Sequence, residues 1–273
     1  MEWFESDEFW THYAPIMFDE ARWAEAPDVA EDVMKIAGLS KGGKVLDAGC
    51  GLGRISVELA ALGLDVTGVD IIQNELDAAK DSAQAEGVEL NLIKADLRTF
   101  KAPQLYDCAV NLYTSFGYCD TQEEDLEILK NIYESLKDGG TFILECVSRE
   151  TAIMYWTPGE EFERAGYTVK THFEVVGAWE GLLSCWDLYP LGAGPSARPV
   201  FTHHFVQRLY SAADLRDILI KTGFKQASVY GDFDFSPYDQ AARTMVIVAK
   251  KYKKCTPKVF TLPGCILQSF ILD

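Results

Sequence analysis

The residues in this sequence most able to act as a chemical set are three aspartates, each closing a short apolar run: Asp47 in KVLDA, Asp70 in DVTGVD and Asp96 in ELNLIKAD. Asp47 leads into VLDAGCGLGRIS, where Gly49, Gly51 and Gly53 fall at every second position. Glycine is needed where a chain leaving a strand turns sharply and where backbone approaches a ligand, because a Cβ would collide. A helix opening near Leu52 adds free N–H groups and a positive dipole end, which attract an anion. Dinucleotide turns space their glycines as G-x-G-x-x-G and seat a pyrophosphate. Here the order is D-x-G-x-G-x-G, and an acid two residues ahead of the first glycine suits a ligand that also carries a cation. Singly, each acid has a plainer role: Asp47 can cap the turn, Asp70 fits the ribose of NAD equally well, and Asp96 reads as a solvated turn acid. Together, at the ends of successive strands behind such a turn, they point to one nucleotide-like ligand.

The elements that must position them are legible from spacing. Asp28 and Glu31 form a capping box after Pro27, and Val29, Ala30, Val33, Met34, Ile36 and Ala37 predict a helix up to Gly38. Strands follow at 44–48, 65–70, 89–96 and 107–113, separated by a helix over 52–62 stopped by Gly63 and another over 73–86 ending at Gly87. A second capping box, Thr121 with Glu124, opens a helix carrying Leu126, Leu129, Tyr133 and Leu136, with Gly139-Gly140 to close it. TFILECV (141–147) is the fifth strand. Ser211 starts a helix that carries Leu215, Ile218 and Leu219 up to Gly223, ahead of strands at 224–231 and 243–251. This alternation predicts an α/β fold: a Rossmann-like, seven-stranded, mostly parallel sheet with helices on both faces. The last two strands are joined by a loop without a helix, so the final strand should be antiparallel.

Between the fifth strand and the late helix lies an aromatic-rich block, 149–210, with strand-like alternation in YTVKTHFEVVGAW and a loop at LGAGPSARP. It reads as an insertion packed over the strand ends. Residues 252–273 follow the natural end of the sheet and have no clear assignment. The 273 residues suit one large domain or a domain with an insertion, and a formal charge of −17 repels phosphate backbones and anionic membranes. The one basic run, KKYKK from Lys250 to Lys254, reads as a solvated strand end. The acidic, aromatic start MEWFESDEFW is unlike a secretory signal, no apolar run reaches membrane-spanning length, and a cytoplasmic protein is expected. The seven cysteines include no C-x-x-C pair, so neither a disulfide framework nor a metal centre is indicated.

With these motifs in order, the sequence resembles a class I S-adenosylmethionine (SAM)-dependent methyltransferase of the small-molecule type, similar to sugar and amine N-methyltransferases. The resemblance runs over 28–148 and 211–250. It implies that VLDAGCGLG, with Asp47, Gly49, Cys50, Gly51 and Gly53, holds the methionine part of SAM. Asp70 in GVDI, beside Ile71, would take the ribose hydroxyls. Asp96-Leu97 would hold the adenine, and Asn111-Leu112-Tyr113 would face the methyl-transfer site. It further implies a core of 1–148 and 211–251 whose first 27 residues form a lid, with Tyr13 touching the cofactor and the insertion covering the substrate.

Methyl transfer from a sulfonium is an in-line displacement, so the protein mainly positions the partners and excludes water. A base is needed only for a protonated nucleophile. Candidates are His203 and His204 in FTHHF, one of which should face inward, and Tyr113. The segment NLYT lacks the [DN]-P-P-[YFW] pattern of nucleobase and glutamine methylation and the P-C dipeptide of cytosine C5 methylation. A small-molecule N or O nucleophile is therefore expected, with no nucleic-acid or membrane partner. The alternatives are a SAM-binding regulatory module without catalysis and, against the glycine spacing, an NAD-dependent dehydrogenase.

Overall fold

The computed structural model describes residues 2–194 and 196–251. The 252–273 segment and the end of the basic run beyond Lys251 lie outside them. After a 3-10 turn at Trp3–Glu5 come α1 (Asp7–Met17), α2 (Glu20–Ala24), α3 (Ala26–Ala37), β1 (Lys44–Ala48), α4 (Arg54–Ala61), β2 (Asp65–Asp70), α5 (Gln73–Glu86), β3 (Asn91–Lys94) and β4 (Tyr106–Asn111). Then follow α6 (Gln122–Ser135), β5 (Leu136–Cys146), α7 (Arg149–Met154), β6 (Glu161–Arg164), β7 (Tyr167–Val176), β8 (Gly181–Pro190), β9 (Phe201–Arg208), α8 (Ala212–Thr222), β10 (Phe224–Tyr230) and β11 (Met245–Lys251).

Seven strands form one sheet in the order β10-β11-β5-β4-β1-β2-β3. All neighbours are parallel except β11, which runs antiparallel to both β5 and β10. Side chains alternate between two cores because successive Cβ atoms leave a strand on opposite sides. From β5, Phe142 and Leu144 pack with Leu129 of α6 and Leu215 of α8, whereas Ile143 packs with Val33 of α3 and Leu59 of α4. Helices therefore cover both faces.

Two predicted helix ends move for local reasons. Pro27 lies in the first turn of α3, where its missing N–H costs nothing, so the helix starts at Ala26 and Asp28 is a first-turn acid rather than the cap. The helix α6 keeps its Thr121–Glu124 capping box but stops at Ser135, and β5 begins at once, so Gly139-Gly140 belong to the strand.

The insertion is a four-stranded antiparallel sheet, β6-β7-β8-β9. One of its faces forms a third core with the N-terminal segment: Phe9 and Ile16 of α1 pack with Val169, Trp186, Leu188 and Phe205. Phe9 stacks on Tyr13 at 4.6 Å, and Trp3 stacks on Phe205 at 4.5 Å. No helix among the described residues is long and apolar enough to cross a membrane.

Candidate functional site

The strand β1 lies between β2 and β4, so the crossovers leaving this point diverge and open a crevice at the carboxyl ends of the strands. A cavity of about 1010 Å³ sits there, at the top of the range for ligand sites. Its wall includes Asp47, Gly49, Cys50, Gly51, Asp70, Ile71, Asp96, Leu97, Leu112, Tyr113 and Tyr13. It also includes Phe173, Ser184, Trp186, Phe205 and Gln207 of the insertion sheet. Residues more than a hundred positions apart in sequence thus share one enclosure.

The turn after β1 holds Gly49 and Gly51 in left-handed conformations. A Cβ on Gly49 would stand 2.9 Å from the Ser115 Cβ, and one on Gly51 would stand 3.1 Å from Glu75 Oε2. The Gly51 N–H donates to Asp70 Oδ2 (2.8 Å) and the Ile72 N–H to Oδ1 (3.0 Å). Two backbone donors thus fix a carboxylate that still has unused lone pairs. Burial raises the Asp70 carboxyl above its ordinary value. Asp47, 4% exposed, accepts from the Ser56 hydroxyl at 2.6 Å. Burial pushes its carboxyl up to about 6, against the Ser56 hydrogen bond and with help from the charge of Asp70.

Two expected ligand residues lie behind the wall, and a third is paired within it. Gly53 caps α4 with φ 75°, and a Cβ on it would stand 2.6 Å from the Ala79 Cβ. It brings α4 against α5 and is absent from the cavity wall. Asn111 is fully buried and donates to the Ala48 carbonyl at 2.6 Å, bracing β4 against β1 behind the wall. Asp96 lines the cavity, but Arg98 Nε and Nη2 both donate to its Oδ2 at 2.8 Å.

Of the candidate bases, Tyr113 donates its hydroxyl to Glu25 (3.1 Å), and its ring lies 3.8 Å beneath the Arg54 guanidinium. It ties the α2–α3 corner to the glycine turn. On β9, His203 pairs across from Trp186 and shares its face of the sheet, but its ring packs on Phe9 at 4.4 Å and does not line the cavity. His204 falls on the opposite, exposed face. Neither histidine is in the cavity wall.

Among the wall acids that the sequence reading did not single out are Glu75 and Glu145. Glu75 lies four residues before Ala79 in the buried stripe of α5, and a carboxylate in an apolar register was the available signal. Burial, then the charge of Asp70, pushes its carboxyl up to about 8. Glu145 on β5 accepts from the Tyr113 N–H (2.6 Å) and from the Thr244 hydroxyl, and burial raises it. Tyr118, in the loop after β4, also lines the cavity beside Tyr13 and Glu145.

Asp47, Asp70 and Glu75 form no ion pair among the described residues. An acid-lined turn of this kind repels a diphosphate and fits a nucleoside whose far end carries an ammonium and a sulfonium. The general methyltransferase-domain model matches residues 45–140, from β1 into β5. A protein of Geobacillus sp. (strain WCH70) described as a methyltransferase is 24% identical over 262 residues, covering 91% of this chain and 99% of that protein. A SAM-dependent methyltransferase structure from Clostridium acetobutylicum aligns with TM-score 0.72 at 14% identity, covering 90% of this chain and 98% of that one. The SAM-bound amino pentose methyltransferase CalS10 of Micromonospora echinaspora aligns with TM-score 0.62 at 20% identity, covering 84% and 91%. At such identities the structures show a common fold. Fold, acid-lined turn and domain match agree: the chain carries a methyltransferase domain and is a SAM-dependent methyltransferase, with SAM as its cofactor.

Proposed function

We propose that this enzyme methylates a small molecule, at nitrogen in preference to oxygen, bound between the carboxyl edge of the main sheet and the insertion sheet. The observation that carries this reading is the single cavity, which continues from the glycine turn to the inner face of β8 and β9. In this reading Asp47, Gly49, Cys50 and Gly51 surround the methionine part of SAM, and Asp70 accepts from the ribose hydroxyls beside Ile71. Asp96 and Leu97 border the adenine, with Leu112 beneath the methionine. Gly53 and Asn111 support the turn from behind. SAM supplies an electrophilic methyl group on a sulfonium.

The chain's own residues then have three tasks. Tyr13, Tyr118, Trp186 and Phe205 wall the acceptor side with rings, which exclude water and attract a cationic amine. The segment 1–27 acts as a lid, since its aromatic side chains close the cavity against the insertion. Glu145, on the acceptor side near Tyr118, takes the proton an ammonium must lose before its lone pair can attack. The ring-lined wall, which attracts a cationic amine, supports nitrogen, and the charge of −17 supports a small molecule over nucleic acid.

The test is S-adenosylhomocysteine formation from SAM with matched ring amines and ring alcohols. Turnover with amines above the acceptor-free rate, and less with alcohols, is expected. Micromolar S-adenosylhomocysteine binding without turnover on either series would favour a regulatory module instead.

A further inference from the structure

The inner face of the insertion sheet carries polar groups that its own fold leaves unsatisfied. Cross-strand pairs fix which residues share that face: Ser184 is opposite Phe205, Trp186 opposite His203, and Gln207 opposite Leu182. Ser184, Trp186 and Gln207 are each more than nine-tenths buried and all line the cavity. The Trp186 Nε1–H and the Gln207 Nε2 amide have no hydrogen-bond partner, and the Ser184 hydroxyl makes none among the described residues. The other buried orphan atoms, Asn111 Oδ1, Asn131 Oδ1 and His203 Nε2, belong to side chains away from the cavity. An indole N–H can only donate. A buried donor without a partner is costly and needs a reason, which a cavity wall supplies if the occupant brings the acceptor.

The geometry around these donors limits that occupant. Tyr13 meets Trp186 edge-on at 5.0 Å, and Phe205 lies between Ser184 and Gln207. The walls are therefore aromatic faces, with the donors set along one sheet surface. None of the acids in the wall belongs to the insertion sheet; Asp47, Asp70 and Glu145, for example, stand on β1, β2 and β5 of the main sheet.

We propose that Trp186 and Gln207, with Ser184 beside them, read oxygen atoms on the methyl acceptor, making it a ring-sized amine with at least two accepting oxygens distal to its nitrogen. This rests on the acceptor site assigned above. These three side chains determine specificity and take no part in the transfer itself. A plain hydrocarbon amine leaves the donors unpaired and binds less well, because sites built to hydrogen-bond a substrate reject analogues that lack the partner.

The probes are cyclohexylamine, 4-aminocyclohexanol and 4-aminocyclohexane-1,2-diol, titrated by calorimetry with and without saturating S-adenosylhomocysteine, and assayed for methylation. The wild type should prefer the diol to cyclohexylamine by at least roughly tenfold, about one net hydrogen bond. Gln207→Met should erase most of that preference while leaving cyclohexylamine affinity within about twofold, and Trp186→Phe should lower the ratio of diol to cyclohexylamine affinity towards one. Ser184→Ala, the smallest change, gives the same reading if either larger variant fails to fold. Equal affinity for the three probes in the wild type would overturn the proposal, as would variants that weaken all three alike. Failure of S-adenosylhomocysteine to bind would instead count against the cofactor-site assignment, since the probe preference is read in its absence too.

Discussion

At the residue scale, the site depends on carboxylates that the fold buries without cationic partners. For Asp47 the sign follows from its raised value of about 6. The folded protein takes up this proton before the unfolded chain does, so the group's contribution to stability grows as pH falls from about 7 towards about 4. Cofactor binding runs the other way, because an ammonium needs the ionised carboxylate. Affinity for S-adenosylhomocysteine should therefore weaken by up to about tenfold per pH unit below about 6, measured by calorimetry between pH 8 and pH 5. A flat profile would remove Asp47 from the ligand set. Asp70→Ala deprives the ribose hydroxyls of their acceptor and frees the Gly51 and Ile72 amides, and should weaken binding by about a hundredfold. The two aspartates were readable because each ends a strand before a glycine or a turn. Glu75 offered only its place in the apolar register of α5, and Glu145 offered nothing, because a linear pattern does not separate an acid facing a cavity from one on a solvated strand end.

At the scale of elements, the turn from β1 to α4 divides its glycines between two jobs. Gly49 and Gly51 stand in the cavity wall, whereas Gly53 lets α4 and α5 touch. Even spacing made the three look equivalent, and only the packing of Ala79 distinguishes them. Gly53→Ala forces a Cβ into that contact at a positive φ, so it should cost about 3 kcal/mol, seen as a melting temperature lower by roughly 6–12 °C. A variant as stable as the wild type would refute this packing role. Thr121→Ala removes the α6 cap for about 1 kcal/mol and should leave S-adenosylhomocysteine affinity unchanged, since Thr121 is not in the cavity wall. The caps at Thr121 and Ser211 and the glycine stops at Gly38, Gly87 and Gly223 were legible because each satisfies orphan backbone groups with a residue type that suits the role. Pro27 shows the limit: a proline and a capping acid two residues apart offered two starts, and packing of Ala26 chose the earlier one.

At the scale of the whole molecule, the mostly parallel sheet and its antiparallel last strand followed from alternation and loop length, both local properties, whereas the strand order did not. The union of the N-terminal segment with the insertion did not, because aromatic residues at helical or strand spacing carry no sign of their partner. Only the structure shows that Phe9, Tyr13, Trp186 and Phe205 meet and that the last three line the cavity. The expected inward histidine of FTHHF is there as His203, yet α1 covers it, so the acceptor compartment is walled by rings, hydroxyls and amides instead. The central claim is that one enclosure holds cofactor and acceptor end to end. The most direct measurement is a crystal structure with S-adenosylhomocysteine. The account predicts the ribose on Asp70, the adenine at Asp96-Leu97, and the sulfur facing Tyr13, Tyr118 and Trp186 across open cavity. A ligand bound elsewhere, or a sulfur sealed off from the insertion sheet by packed side chains, would contradict it.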